Sequence, residues 1–160
     1  MLTLYKLKIM KNMRIILTLV IVGILLSSSC EKITDKIIDK LSPEFTTDID
    51  GTTWETKAVL ALKSDSGFNI TASEDTTMFM LFIKEFKNGT FDIKNGEAAA
   101  TYTIGEQANI HVSLSGEIEV KEAEDHGGNF DINFHFMAVN LLGDTVYITN
   151  GKGRNIINPL

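Results

Sequence analysis

From Phe45 onward, apolar and polar residues alternate with a period of two. Phe130, Ile132, Phe134, Phe136 and Ala138 alternate with Asn129, Asp131, Asn133, His135 and Met137. Ile110, Val112 and Leu114 alternate with Asn109, His111 and Ser113, and Ile118 and Val120 alternate with Glu117, Glu119 and Lys121. Successive side chains of a pleated strand point to opposite faces, so each run predicts a half-buried strand with its apolar residues inward. Another strand is predicted to carry Trp54, Ala58, Leu60 and Leu62. The run Met78 to Ile83 (MFMLFI) is nearly all apolar and predicts a central strand buried on both faces, with Met78 and Met80 filling core. Trp54 and the phenylalanines read as core aromatics for the same reason.

Turn chemistry falls between these runs. Asp50-Gly51, Ser64-Asp65-Ser66-Gly67, Asn88-Gly89, Asn95-Gly96, His126-Gly127-Gly128 and Gly143-Asp144 each separate two alternating segments. Asn-Gly, Asp-Gly and Gly-Gly pairs suit hairpins, because the tight primed turns need positive φ. The pattern predicts about nine strands between Phe45 and Ile157 with no helix among them, hence an all-β antiparallel sandwich or partly closed barrel.

Upstream of the strands the period differs. Ile33, Ile37, Ile38 and Leu41 recur at helical spacing in Glu31 to Ser42, and Pro43 stops any helix there, which predicts a short amphipathic tether. Before it, Lys6, Lys8, Lys11 and Arg14 precede an apolar run from Ile15 to Leu26, followed by Ser27-Ser28-Ser29-Cys30. The apolar run is shorter than the roughly 20 residues of a spanning helix, and basic, apolar and small-residue parts in that order make a secretory signal. Cysteine directly after the small residues resembles the bacterial lipoprotein variant, although Ser27 stands where that motif usually has a large apolar residue. The resemblance implies cleavage before Cys30 and acyl chains on it, enough of them to hold a protein at a membrane. The expected division is 1–29 signal peptide, 30–43 lipidated cysteine and tether, and 44–160 β-domain.

Four of the 15 basic residues and none of the 21 acids fall in the signal, so the mature chain has a formal charge of −10. Arg154 is its only arginine. Nucleic acid is not an expected partner, because phosphate contacts need clustered Lys or Arg. Acidity also disfavours electrostatic docking on anionic headgroups, so membrane contact is expected through the acyl chains on Cys30. With Cys30 acylated, no disulfide is available, and a chain of this length can bury a core without one.

Candidate chemistry is sparse. His111 and His135 fall on the polar sides of their strands and read as exposed, and His126 beside Asp125 reads as a turn residue. None has the ligand spacing of a zinc site. Glu122, Glu124 and Asp125 match no calcium loop and read as a solvated hairpin end. No Gly-x-Ser-x-Gly elbow and no phosphate-cradling loop occurs, so no catalytic residue, metal or cofactor is assigned and no enzyme is expected.

Phe45-Thr46-Thr47-Asp48-Ile49-Asp50-Gly51-Thr52-Thr53-Trp54 is similar to the V-D-G-x-x-W opening of a family of small envelope lipoproteins of Bacteroidota-type bacteria. Gly89-Thr90-Phe91, Phe134-His135-Phe136-Met137-Ala138, Gly143-Asp144-Thr145-Val146 and Ile148-Thr149-Asn150-Gly151 resemble later segments of that family, in the same order. Gly127-Gly128-Asn129-Phe130 takes the place of its S-G-x-F-x-F step, somewhat earlier in the chain. The resemblance implies a β-rich exported domain and transfers no catalytic residue. The expected role is that of a cell-envelope lipoprotein, outer-membrane-anchored on the periplasmic or surface face, serving as a non-catalytic accessory or interaction subunit of an envelope protein complex. The alternative is a lipoprotein that binds a small molecule, lipid or glycan.

Overall fold

Ten antiparallel strands make one continuous sheet in the computed structural model, which describes residues 42–105, 109–123 and 128–159. Cys30, the signal segment 1–29 and the tether as far as residue 41 lie outside the described residues, as do Glu124, Asp125 and His126. The strands are β1 (Glu44–Ile49), β2 (Thr52–Thr56), β3 (Val59–Ser64), β4 (Gly67–Glu74), β5 (Thr77–Ile83), β6 (Gly89–Asp92), β7 (Ala98–Ile104), β8 (Asn109–Lys121), β9 (Asn129–Val139) and β10 (Thr145–Ile157). Their order is β2-β1-β10-β9-β8-β7-β5-β4-β3, with β6 paired to β8.

The two ends of that order are adjacent in the chain. Only Lys57-Ala58 separates β2 from β3, and there the sheet meets its own far edge. The Ser73 amide of β4 donates to the Ala58 carbonyl at 3.1 Å. The buried Thr56 hydroxyl accepts the Ala58 amide at 3.0 Å and lies 2.8 Å from both the Ser73 carbonyl and Glu74 Oε2. Here a nearly closed barrel replaces two exposed sheet edges with a hydrogen-bonded seam. The all-β architecture expected from the sequence is what forms. Its turns also fall where the turn residues stand: Asp50 and Gly51, for example, take the positive φ angles (48° and 84°) of a primed hairpin turn.

Aromatic side chains fill the inside. Phe45 of β1 lies 4.9 Å from Phe134 of β9 and 5.6 Å from Phe79 of β5, ring centre to ring centre. Trp54 and Tyr102 each sit 5.0 Å from Phe79. Strands from opposite sides of the barrel therefore meet through rings, and area burial together with ring packing makes this cluster the main apolar stabilisation of the fold. Trp54 packs against the core, as expected, while remaining half-buried.

Three strand assignments turn out differently from the alternation. The first concerns β8. Its first half pairs with β7 (Thr101↔Val112) and its second half with β6 (Phe91↔Ile118). Between the halves the register against β9 slips at Leu114, where Ser113 faces Ala138 and Ser115 faces Met137. One extra residue in a strand moves every later side chain to the other face. Ile118 and Val120 point inward, so the earlier even-numbered residues point outward: Ile110, Val112 and Leu114 are exposed and His111 is buried. The Ser113 hydroxyl accepts the Ala100 amide at 2.8 Å, at the point where β8 leaves β7 for β6.

The second concerns Trp54 to Leu62. The kink at Lys57-Ala58, where the Val59 amide donates to the Lys57 carbonyl at 3.1 Å, divides the expected single strand in two. Trp54 and Thr56 face inward before it and Ala61 after it, leaving Leu60 and Leu62 exposed. The third concerns β5. Phe79, Leu81 and Ile83 are buried, but Met78 and Met80 are exposed. A sheet that closes on itself has one inner face, and no second layer covers the outside of β5 among the described residues.

Candidate functional site

These three departures converge on one surface. Leu60 and Leu62 of β3, Met78 and Met80 of β5 and Ile110, Val112 and Leu114 of β8 are all exposed. The hydrogen-bond register places them side by side on adjacent strands. One cross-strand row reads Leu60, Thr71, Met80, Thr101, Val112, Val139, Thr145. A parallel row reads Leu62, Asn69, Phe82, Ala99. A third reads Ser73, Met78, Thr103, Ile110. No outward position in these rows carries a charge, on a chain in which 22% of residues are charged. Half-exposed aliphatic residues such as Val112, at 51%, are unremarkable singly. A contiguous group of them across the five neighbouring strands from β3 to β8 is the signature of a contact surface. Beyond its end, in the β9–β10 turn, Leu141 and Leu142 stand almost fully in solvent.

The other side of the barrel is polar. There β6, the second half of β8, β9 and β10 surround an open groove of about 930 Å³, lined by Thr90, Glu117, Glu119, Asn133, His135, Asn150, Lys152 and Arg154. Arg154 is committed to the fold: one terminal nitrogen donates to the Ile132 carbonyl at 2.8 Å and the Gly153 carbonyl at 3.0 Å, and the other to Asn133 Oδ1 at 2.8 Å. Its Nε lies 3.5 Å from the Asp131 carboxylate. Asn133 passes the chain on, donating to Glu119 Oε2 at 2.8 Å, and Lys121 pairs with the same carboxylate at 2.9 Å. The Asn133 amide, with Lys121, holds the Glu119 carboxyl below the usual range. On the neighbouring strand the Asn150 amide and the Thr53 hydroxyl do the same for Asp48, each at 2.8 Å. Glu117 and His135 stand opposite one another in the β8–β9 register and point into the groove.

The residues singled out in the sequence are scattered. His135 is exposed on the charged side, as expected, whereas His111 faces the barrel interior against Tyr102, with ring centres 5.6 Å apart. Glu122 is exposed at the end of β8. Among the described residues, no three His, Cys, Asp or Glu side chains come together in a way that could hold a metal ion, and no helix is long and apolar enough to cross a membrane. The uncharged face could not be found from the alternation, because its residues carry the signal of an inward face. The one hint was local: Ser113 and Gly116 flank the slip at Leu114 and interrupt the aliphatic run.

Residues 41–156 match the family described as a domain of unknown function, DUF6252. The chain belongs to the DUF6252 family. The matched region contains β1 to β9 and nearly all of β10, so both the uncharged face and the polar groove are parts of the DUF6252 domain. No curated protein and no solved structure matches the chain.

Proposed function

We propose that this protein is a non-catalytic interaction subunit of the bacterial cell envelope, exported by its N-terminal signal, anchored through acyl chains on Cys30, and docked on another protein surface through the uncharged face of its barrel. The face carries the reading. Seven exposed aliphatic or thioether side chains on β3, β5 and β8, without one charge among them, favour contact with a complementary apolar surface over solvation. Methionine supports it, because a flexible, polarisable side chain adapts to the shape of a partner. The acidic mature chain and the signal-like N-terminus support the address.

The test is a photo-crosslinking amino acid placed at Val112 in cells that make the protein, with the same group at Thr46 on the charged side as control. A protein adduct from Val112 and none from Thr46 is the expected result. No adduct from Val112 at any expression level removes the docking role. Separately, Cys30→Ala should abolish labelling by radioactive palmitate; labelling that persists removes the anchor.

The polar groove favours a second reading, in which the domain holds a small hydroxylated ligand such as a glycan. Glu117, His135 and Lys152 point into a space large enough for one, and ring packing fills the barrel interior. Retention on immobilised envelope glycans that is lost in Glu117→Ala supports this reading, and retention unchanged by that substitution removes it.

A further inference from the structure

The groove on the polar side of the barrel has walls of opposite charge. β10 and β8 form the walls, and β9 lies between them as the floor. Lys152 and Arg154 stand on the β10 wall, and Glu117 stands on the β8 wall with Asp92 of β6 directly beyond it in the register. Lys152 is registered with Asn133 of the floor and Glu117 with His135. Lys152 and Glu117 are both exposed, and neither joins an ion pair among the described residues. Their neighbours are committed: Glu119 is held by Asn133 and Lys121, and Arg154 by two carbonyls, Asn133 and Asp131. The Lys152 charge acts on Asp48 as well, but that carboxylate is already bonded by Asn150 and Thr53. Apart from His135, the only ring in the lining is that of Phe134, which is 3% exposed. The groove thus offers charges and hydroxyls rather than an aromatic platform on which an uncharged sugar could stack.

We propose that the groove takes a sugar bearing two opposite charges, an ammonium that faces Glu117 and a carboxylate that faces Lys152, with its hydroxyls on His135, Thr90 and Thr149. This ligand class rests on the reading of the groove as a site for a hydroxylated ligand, and narrows it. Hydrogen bonds to charged groups are about twice as strong as neutral ones, so these two contacts supply what ring stacking does not. A ligand with one charge gains at one wall and is repelled at the other: an anion meets Glu117 and Asp92, a cation Lys152 and Arg154. Spacing narrows the class further. β8 and β10 flank β9 about 9.6 Å apart, and Glu117 and Lys152 are offset by two residues along it, so their Cα atoms stand roughly 12 Å apart. That interval suits charges on separate positions of one sugar ring. A free amino acid carries both charges on a single carbon and reaches one wall at a time.

The experiment is a titration of backbone amide shifts in the full chain, held in nonionic detergent. The probe is muramic acid, a sugar with a free amine and a carboxylate. It should bind with a Kd of about 1 mM and shift the amides of Asn133, His135 and Lys152. N-acetylmuramic acid, which lacks the ammonium, and glucosamine, which lacks the carboxylate, should each bind about fivefold more weakly, and so should alanine. Glu117→Gln should remove the preference for muramic acid over its N-acetyl form and leave the preference over glucosamine. Lys152→Gln should do the reverse. Both side chains are exposed, so both variants should keep the parent melting temperature. Equal affinity for the three sugars, alanine binding as tightly as muramic acid, or preferences indifferent to both substitutions overturns the proposal. If the three sugars bind equally while Glu117→Ala still abolishes retention on immobilised glycans, the hydroxylated-ligand reading stands and the doubly charged ligand falls. If no sugar shifts the groove amides, the proposal falls, and retention unchanged in Glu117→Ala removes the groove reading with it.

Discussion

His111 of β8 faces Tyr102 of β7 across a registered strand pair, and its Nδ1 is buried without a hydrogen-bond partner among the described residues. The slip at Leu114 put the imidazole on the inner face. A buried polar nitrogen that gains no bond on folding gives up its hydration for nothing, at a cost of about 1–3 kcal/mol. His111→Phe should therefore raise the free energy of unfolding, by about 1 kcal/mol once the larger ring has been fitted. Urea denaturation reads this directly; a loss of stability would mean that the nitrogen has a partner.

The reversal inside β8 makes two aliphatic residues of one strand behave oppositely. Leu114 is 53% exposed and Ile118 is fully buried. Leu114→Asp should change stability by no more than about 0.5 kcal/mol, whereas Ile118→Asp buries an unpaired carboxylate and should cost several kcal/mol or prevent folding. Had β8 kept one phase along its length, both substitutions would be severe. Thermal melts of the two variants decide between these outcomes.

Gly116 is required by the same slip. Its φ is +133°, and a Cβ there would overlap the His135 carbonyl and the backbone of Phe136. Gly116→Ala combines backbone strain with a clash against a neighbouring strand, so a loss of at least about 2–3 kcal/mol is expected. A near-neutral result in denaturant titration would contradict the close approach of β8 and β9.

Acid sensitivity should reside partly in Asp48. Hydrogen bonds from Asn150, first, and Thr53 lower its carboxyl pKa in the folded protein. A carboxylate with a depressed folded value adds stability that is present above its unfolded pKa and is lost as pH falls through the folded one. Asp48→Asn should flatten the decline in denaturation midpoint between about pH 5 and pH 2. A variant whose acid limb matches that of the parent would show that these bonds do not persist in solution.

Tyr102 predicts the alkaline limb. Burial, and after it the charge of Asp50, raises its pKa. The phenol stays neutral in the fold while the unfolded chain ionises, so stability is intact below the unfolded value and falls as pH rises toward the folded one. Tyr102→Phe should reduce the loss of stability above about pH 10. Equal slopes in the two proteins would rule this contribution out.

Much of the architecture is legible in the chain. The alternation from Phe130 to Ala138 describes β9 correctly, and Asp50-Gly51, Asn95-Gly96 and Gly143-Asp144 lie in turns that form, whereas Gly89 opens β6. Those features are local: a pleated strand and a two-residue turn depend on neighbours close in sequence. The contact face was not legible. Val112 and Ile118 have the same parity in the same strand, and only the slip at Leu114 sends one outward and the other inward.

Local residue order determined that this protein is a set of antiparallel hairpins, and where most of its turns lie. Tertiary structure decided which side of three strands became the inside. A bulge on β8, a kink before β3 and closure of the sheet into a barrel are set by long-range pairing. Because side chains alternate with a period of two, one extra residue is enough to exchange core for surface.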